Sequence, residues 1–191
     1  MDSYIYKVCV VGDPGVGKSA TVLMWSSGSF HQEYQLTVGV QHFTRSLNIS
    51  SNAGVLSVKL ILWDIGGQAT FKMIRPMFYK AARGVVVMFD LTNRASFEGV
   101  TNWIREADSS IGRRVPIVLV GNKADLPSQV TIDEVKRLAQ QIGAVPVVSS
   151  AKTGSNVADI FQIVAEMISQ ENETLTTAAE MHPARTISAG S

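Results

Sequence analysis

Residues 12–19 read Gly12-Asp13-Pro14-Gly15-Val16-Gly17-Lys18-Ser19 and match the pattern G-x-x-x-x-G-K-[ST]. An apolar, β-branched run precedes them at residues 8–11, and a helix-compatible segment follows at residues 20–25, which is the context that the pattern requires. The glycines allow successive backbone N–H groups to converge on phosphate oxygens, and the N-terminus of the following helix adds partial positive charge. The stretch therefore predicts a phosphate-binding loop. Taken alone, it also fits a glycine-rich turn with a solvated lysine.

The polar side chains of this loop have expected partners. Lys18 should reach the β- and γ-phosphates of a nucleoside triphosphate, and the Ser19 hydroxyl should ligate the Mg²⁺ that bridges them. The residues that we expect to contact the nucleotide in this part of the chain are Asp13, Pro14, Gly15, Val16, Gly17, Lys18, Ser19 and Ala20.

The composition limits the class of protein. A chain of 191 residues suits one domain, and its 17 Lys and Arg residues against 16 Asp and Glu residues predict no broad attraction to nucleic acid or to anionic membranes. The single cysteine, Cys9, lies in the apolar run before the loop, so we interpret it as a core residue in a reducing compartment. No apolar stretch reaches the roughly 18 residues of a membrane span, and the first residues do not resemble a secretory signal. We therefore expect a cytoplasmic protein.

Hydrophobic periodicity predicts the secondary structure. Short apolar runs predict strands at about residues 6–11, 43–49, 56–63, 85–89, 116–120 and 145–148. Apolar residues at helical spacing predict helices at about residues 17–26, 97–107, 132–142 and 157–168. A capping box of Thr131 and Glu134 should begin the third of these helices, and Gly143 should end it.

The order of these elements predicts an α/β protein. The second and third strands should form an antiparallel hairpin, and the later alternation of strands and helices implies parallel pairing. We therefore predict the three-layer fold of P-loop nucleoside triphosphatases, with a six-stranded, mostly parallel sheet, one antiparallel edge strand and helices on both faces. Residues 1–170 form the predicted domain, and residues 171–191, which lose periodicity, form a predicted disordered tail.

A second motif, Trp63-Asp64-Ile65-Gly66-Gly67-Gln68, follows the third predicted strand. Ligands of such sheets lie outside the carboxyl ends of the strands, so Asp64 is placed to hold Mg²⁺ directly or through water. Gly67 would leave its N–H free to approach a γ-phosphate, and Gln68 could orient a water molecule for in-line attack. The alternative is an aspartate that caps a turn beside an exposed loop glutamine.

Two further motifs point to the base of the nucleotide. In Asn122-Lys123-Ala124-Asp125, the Asp125 carboxylate can accept two hydrogen bonds from the ring N–H and the exocyclic amine of guanine, a pair that adenine lacks. The Lys123 stem can lie against the base and ribose. In Ser150-Ala151-Lys152, the Ala151 N–H can meet the guanine carbonyl oxygen. Each stretch alone is an ordinary polar loop, but four motifs in this order, each after a strand, predict a guanine site that includes Asn122, Lys123, Asp125, Ser150, Ala151 and Lys152.

On these motifs the chain resembles a small GTPase of the Ras superfamily, nearest the Rab-like branch, over about residues 4–170. Residues 30–40 are similar to the first switch of that family. The resemblance implies that Phe30 packs on the guanine, that Tyr34 closes over the phosphates, and that Thr37 binds Mg²⁺ and the γ-phosphate. It implies a catalytic group of Gln68, Lys18 and Thr37, and a metal-binding group of Ser19, Thr37 and Asp64.

The resemblance also implies partners. Effector, exchange-factor and activator proteins would bind a monomer through residues 30–45 and 64–80. Rab-like proteins carry an aromatic effector patch, to which Trp63 and Tyr79 would belong here. Phe43, however, falls one residue later than the third aromatic of that patch, and His42 takes its place. Because a one-residue slip turns a side chain to the other face of a sheet, we do not expect the patch to be carried over whole.

Three other departures affect function. Pro14 stands where Rab proteins usually have serine, and proline has no N–H to donate, so we expect a different loop geometry beside Gln68. Ala69 stands where the family usually has glutamate. The chain ends without the prenylated cysteines of membrane-bound members, and it has no glycine at position 2. We therefore expect membrane association only through a partner.

The leading hypothesis is a molecular switch that hydrolyses GTP and cycles between GTP and GDP states in trafficking or signalling. An alternative, motivated by Pro14, is a GTP-bound interaction module that hydrolyses very slowly or not at all. A third hypothesis is an ATP-using P-loop kinase, which would bind ATP more tightly than GTP.

Overall fold

The computed structural model describes residues 4–30, 37–52 and 54–181. The strands in this part of the chain are Tyr4–Val11 (β1), Val40–Ser51 (β2), Gly54–Ile65 (β3), Gly84–Asp90 (β4), Ile117–Asn122 (β5) and Val145–Val148 (β6). They form one sheet in the order β2-β3-β1-β4-β5-β6, in which β2 is antiparallel to β3 and the other pairs are parallel. The predicted six-stranded sheet with one antiparallel edge strand is confirmed.

Helices cover both faces of the sheet. They are Lys18–Ser27 (α1), Arg75–Tyr79 (α2), Arg94–Glu98 (α3), Val100–Ile111 (α4), Ile132–Ile142 (α5) and Val157–Met181 (α6). Side chains of α1 and α6 pack on one face, and side chains of α2, α4 and α5 pack on the other. β4 is buried at every position because both of its faces are covered, which explains its unbroken apolar sequence.

Cys9 belongs to the second of these cores, as the sequence predicts. Its side chain is buried, and this burial raises the pKa of the thiol to about 12. The group therefore stays protonated and behaves as a small apolar residue.

The sheet topology fixes the place of the site. β1 pairs with β3 on one side and with β4 on the other, so the direction of strand order reverses beside β1. In open sheets of this type, a crevice forms at the carboxyl ends of the strands where the order reverses. The loop 12–17 leaves β1 at this crevice, and β3, β4 and β5 end at the same edge with Ile65, Asp90 and Asn122.

Local signals in the sequence account for most helix ends. Thr131 accepts a hydrogen bond from the Glu134 N–H while the Glu134 side chain accepts one from the Thr131 N–H, so the predicted capping box is confirmed. Gly143 ends α5 in the left-handed conformation, also as predicted. The helical stretch predicted at residues 97–107 is divided at Gly99, which ends α3 and begins α4.

The last helix is longer than the sequence predicts. α6 continues to Met181, past Gln170, where a disordered tail was expected to begin. The Asn172 side chain accepts a hydrogen bond from Arg83, and the Asn52 side chain donates one to Glu173 at 2.7 Å. Polar contacts therefore hold the helix as far as Glu173, beyond the end of its apolar stripe. Among the helices of the described residues, none is both long and apolar enough to span a membrane.

Candidate nucleotide-binding site

The backbone of the phosphate loop requires glycine at two positions. Gly12 has φ of 141°, and a Cβ there would lie 2.1 Å from the Met88 carbonyl oxygen. Gly17 has φ of 98°, and a Cβ there would lie 2.2 Å from the Asn122 Nδ2 atom. Any other residue would combine an unfavourable φ with a clash against backbone or a buried amide. The loop is therefore packed directly against β4 and against the third motif.

Lys18 begins α1 and folds back over the loop. Its Nζ atom donates hydrogen bonds to the carbonyl oxygens of Gly12 at 2.8 Å and Asp13 at 2.9 Å. The side chain is buried, and this burial lowers the pKa of Lys18 to about 8, although the nearby Asp64 and Asp13 carboxylates raise it. The ammonium group is thus fixed at the centre of the loop, where it can meet a phosphate oxygen.

The three predicted metal ligands lie together. The Ser19 and Thr37 hydroxyl oxygens are 2.7 Å apart, Ser19 donates to Asp64 Oδ2, and Thr37 lies 3.4 Å from the same oxygen. Asp64 is fully buried, and burial raises the pKa of its carboxyl group. Its Oδ1 atom is buried without a hydrogen-bond partner among the described residues.

These groups fit a magnesium ion. A buried carboxylate oxygen without a partner is costly, and a cation would satisfy it. Groups of three or more His, Cys, Asp or Glu residues able to hold a metal do not occur in the described residues. One carboxylate and two hydroxyls suit Mg²⁺, which usually completes its shell with substrate phosphates and water.

The residues after Asp64 lie against the phosphate loop. A Cβ on Gly67 would fall 2.3 Å from the Gly12 carbonyl oxygen and 2.8 Å from the Pro14 nitrogen. Gly67 therefore has to be glycine, because the two backbones approach each other too closely for a side chain. The neighbouring Gln68 is half-buried, and its carbonyl oxygen accepts a hydrogen bond from Arg75 Nη1 at 3.0 Å.

At the other end of the crevice, Asn122 joins three of the four motifs. Its Nδ2 atom donates to the Val16 carbonyl oxygen at 2.9 Å. Its Oδ1 atom accepts hydrogen bonds from the Ala151 N–H at 3.0 Å and from the Ser149 hydroxyl at 3.4 Å. Asn122 is buried, and its hydrogen bonds connect the phosphate loop with the last motif.

The charged residues of these motifs are also held in place. The Ser150 hydroxyl donates to Asp125 Oδ1 at 2.6 Å, and Lys152 Nζ lies 4.0 Å from Asp125 Oδ2. Lys123 Nζ lies 2.6 Å from Asp90 Oδ2, with Lys123 at a φ of 68°. The Asp125 carboxylate and the Lys123 stem are thus brought to one end of the crevice, beside Ala151. The Ala151 N–H, which was predicted to meet the guanine carbonyl oxygen, donates to Asn122 Oδ1 in this structure.

An additional network, which sequence reasoning missed, connects the phosphate loop with the segment after Gln68. Trp103 Nε1 donates to Asp13 Oδ1 at 2.7 Å, and the guanidinium of Arg75 lies 4.4 Å from the centre of the Trp103 ring. Arg75 also donates two hydrogen bonds to Glu106, at 2.6 and 2.7 Å. The available signal was spacing: Trp103 and Glu106 lie three residues apart on α4 and therefore share a face.

Comparison with known proteins supports the assignment that this geometry suggests. A sequence model described as Ras family matches residues 7–170. The chain belongs to the Ras family. Its relatives include the Ras-related protein RAB1BV of Beta vulgaris, 34% identical over 193 residues that cover 96% of this chain and 85% of the relative. Another is the Ras-related protein Rab-19 of Xenopus laevis, 36% identical over 172 residues, with 88% of this chain and 79% of the relative covered.

A third relative, the Ras-related protein Rab-5B of Plasmodium falciparum, is 35% identical over 162 residues, which cover 85% of this chain and 77% of the relative. The predicted resemblance to a Rab-like small GTPase of the Ras superfamily is therefore confirmed. The individual assignments of nucleotide, metal and catalytic contacts stay predictions. Of the predicted residues, Tyr34 lies outside the described residues, and Phe30 follows α1 with 36% of its surface exposed.

This Rab-like GTPase has a changed aromatic patch, as the sequence predicted. In the β2–β3 register His42 lies opposite Trp63, and Phe43 lies opposite Leu62. The His42 and Trp63 rings form an edge contact with centroids 4.0 Å apart. Phe43 instead packs into the core on the other face, so an imidazole occupies the position of the aromatic residue.

Proposed function

We propose that this Rab-like GTPase is a molecular switch that binds GTP and GDP, hydrolyses GTP, and binds partner proteins according to the bound nucleotide in trafficking or signalling. The observation that carries the proposal is the cluster of Ser19, Thr37 and Asp64 beside the buried Lys18 ammonium. Thr37 lies in the first proposed switch segment, residues 30–40, and Asp64 begins the second, residues 64–78. A nucleotide and a cation in this cluster would couple both segments to the γ-phosphate.

Guanine recognition follows from the other end of the crevice. Asp125 accepts a hydrogen bond from the Ser150 hydroxyl, so its carboxylate is kept in one orientation and could accept further hydrogen bonds from a base. A carboxylate oriented in this way selects guanine because adenine would leave it without a hydrogen-bond donor. Ala151, held through its N–H by Asn122 in the described structure, lies beside it and would border the base.

Hydrolysis would depend on Lys18, Thr37 and Gln68. Lys18 would offset charge on the transferred phosphoryl group, Thr37 would hold the first switch against it, and Gln68 would orient the attacking water. Ser19, Thr37 and Asp64 would hold Mg²⁺, which would supply neutralisation of phosphate charge when bound. We expect slow intrinsic turnover, on the order of 10⁻⁴ to 10⁻³ per second, as is usual without an activator.

Effector, exchange-factor and activator proteins would bind through residues 30–45 and 64–80. The second segment carries exposed apolar side chains at Met73 and Met77, and the first carries one at Val38. Exposed apolar groups beside a nucleotide site suit a surface that is covered when a partner binds.

Competition with labelled GTP in magnesium buffer tests the proposal. We expect GTP to displace the label at a concentration at least about 100-fold lower than ATP. Removal of magnesium with a chelator should accelerate nucleotide release. Lys18→Ala should abolish binding, whereas the matched variant Lys136→Ala, at an exposed position of α5, should not. Folded protein that binds ATP as tightly as GTP, or retains neither, would contradict the proposal.

One observation favours the second candidate, a GTP-bound module with little or no hydrolysis. The Pro14 nitrogen lies beside Gly67, where a Cβ would fall 2.8 Å from it, and it cannot donate a hydrogen bond. Phosphate release in a single turnover separates the candidates. Release no faster than that of a Gln68→Leu variant would favour the module.

A further inference from the structure

The end of the sheet formed by β1, β3 and β2 is covered on one side only. Side chains of α1 and α6 pack against Leu60 and Leu62 on the inner side. On the outer side, Ile5 is 60% exposed and Val55 is 76% exposed. α2 reaches this side at the end of β3, where Phe78 lies 6.3 Å from Trp63 between ring centroids.

Lysines and apolar side chains alternate on this outer side. Lys7 lies opposite Ile61, and Lys59 lies opposite Ile5, in the register of β1 and β3. The Lys7 ammonium lies 3.5 Å from the centre of the Trp63 ring. It also donates a hydrogen bond to the Lys80 carbonyl oxygen at 2.7 Å, so the residue that follows α2 lies beside Lys7. We call this surface the lysine face and define it by Ile5, Lys7, Lys59, Ile61, Trp63 and Lys80.

Negative charge is scarce around the lysine face. From residue 38 to residue 89 the sequence contains one acidic residue, Asp64, and it is fully buried in the nucleotide site. The basic residues of the same stretch are Arg45, Lys59, Lys72, Arg75, Lys80 and Arg83. The three arginines are directed elsewhere, since they contact Trp25, Glu106 and Asn172.

The lysines themselves are not neutralised within the described structure. The salt bridges found among the described residues do not include Lys7, Lys59 or Lys80. Glu33, the nearest acidic residue before this stretch, lies outside the described residues. Among the described residues, the surface therefore presents positive charge and exposed apolar groups together, without carboxylates of its own.

We propose that the lysine face docks an acidic, amphipathic segment of a partner protein. Its carboxylates would meet Lys7, Lys59 and Lys80, and its apolar side chains would rest on Ile5, Ile61 and Trp63. The proposal rests on the proposed function, because the face adjoins the segment 64–80 through which partners of the switch would bind. Complementary charge of this kind increases the association rate and excludes basic competitors.

A protein segment suits this face better than a membrane does. Polybasic surfaces that bind anionic lipid usually carry about four to eight Lys or Arg residues, whereas the lysine face has three. The net charge of +1 adds no wider attraction. The apolar groups are also set between the lysines along the strands, which matches a segment with both kinds of side chain.

Two labelled helical peptides of about 18 residues test the proposal by fluorescence anisotropy. One carries Leu on one side and Glu on the other, and the second replaces every Glu with Gln. With the full chain loaded with a GTP analogue and Mg²⁺, we expect the Glu peptide to bind at least about tenfold more tightly than the Gln peptide. The difference should shrink as salt is raised, because exposed charges are screened.

The variant Lys7→Gln/Lys59→Gln/Lys80→Gln should lose the preference for Glu. The matched variant Arg105→Gln/Lys136→Gln/Arg137→Gln removes the same charge from exposed positions of α4 and α5, and it should keep the preference. Equal binding of both peptides by the unmodified chain, or an undiminished preference in the first variant, would overturn the proposal. The proposal would also be overturned if neither peptide binds while the unmodified chain binds phosphatidylserine vesicles and the first variant does not.

Nucleotide retention, measured on the same samples, separates this proposal from the proposed function. Retained GTP without any preference for the Glu peptide would overturn the docking proposal and leave the switch intact. An equal preference for Glu in the GDP and GTP-analogue forms would support the lysine face as a docking site, and it would show that docking there does not depend on the bound nucleotide.

Discussion

The two ends of the nucleotide crevice are built differently. At the end made by β5 and β6, Asn122 and Ser150 bond to the phosphate loop, to Ala151 and to Asp125, so the polar groups are fixed by the protein itself. At the end made by β1 and β3, the buried Asp64 carboxylate keeps an oxygen without a partner among the described residues. We refer to these as the base end and the phosphate end.

The difference indicates a division of roles. Groups fixed before binding lose little freedom when a ligand arrives, so the base end can supply affinity and selectivity. Polar groups that gain a bonding partner only from a ligand are rearranged when the ligand binds and leaves. The conformation of the phosphate end can therefore depend on which nucleotide is bound. Variants at the two ends should therefore change different measurements.

The largest effect is expected at the base end, from Asp125→Asn. The amide would present an N–H where guanine also presents one, so we expect GTP affinity to fall by roughly 10³-fold or more. Xanthine, which has an oxygen in place of the exocyclic amine, should bind better to the variant than guanine does. Titration with the two triphosphates measures both effects.

Asp108→Asn is the control, since Asp108 is exposed on α4. It should leave both affinities unchanged. An unchanged preference for GTP in Asp125→Asn would refute the assignment of this carboxylate to the base.

At the phosphate end, Gln68→Leu should alter rate rather than affinity. The leucine cannot orient a water molecule, so we expect single-turnover hydrolysis to fall by about 10²-fold or more while GTP affinity stays within about threefold. Phosphate release from a preloaded complex measures the first, and competition measures the second. Gln140→Leu, at an exposed position of α5, is the matched control. Equal loss of affinity and rate would mean that Gln68 supports binding and not the chemical step.

The sequence predicts which residues come together at the base end and in the cluster of Ser19, Thr37 and Asp64, and it does so for one physical reason. Each motif follows an apolar run that can only be a buried strand, and parallel strands deliver their carboxyl ends to one edge of the sheet. Ser19 and Asp64, which are 45 positions apart in the chain, could therefore be assigned to one ion from the motifs alone, and their side chains do contact each other. The edge-strand register of His42 and Phe43 was predictable for a similar reason, because a strand has a period of two.

Two features could not be predicted. The Arg75–Glu106 contact joins residues of two helices whose relative position depends on tertiary packing, and no local pattern encodes it. The end of α6 was predicted too early because the apolar stripe stops near Ile168, whereas the helix is continued by polar contacts such as that between Arg83 and Asn172. Periodicity detects burial, so it misses helices that are held by hydrogen bonds.

Arg75→Lys tests whether α4 links the phosphate loop to the segment after Gln68, both of which lie at the phosphate end. Lysine keeps the charge, but it cannot contact Glu106 with two donors, stack on Trp103 and reach the Gln68 carbonyl together. We expect about tenfold slower hydrolysis with GTP affinity within about twofold, because misplacing a positioned group slows the chemical step. Arg94→Lys is a close control, since Arg94 also binds a glutamate with two donors and a glutamine carbonyl, away from the site. Equal rates in the two variants would show that Arg75 does not position Gln68.

The smallest effect is expected from Trp103→Phe, which removes one N–H and keeps a ring for Arg75 to stack on. Asp13 Oδ1 would lose the donor that lies 2.7 Å away, and the phosphate loop would lose its tie to α4. Because one hydrogen bond to a charged group contributes about 1.5 to 3 kcal/mol and water can replace part of it, we expect GDP release to accelerate by about three- to tenfold. Asp13→Asn, which keeps the accepting oxygen, should accelerate release less. If Trp103→Phe leaves release unchanged while Asp13→Ala accelerates it, Asp13 acts on the loop without α4, and the phosphate end is isolated from that helix.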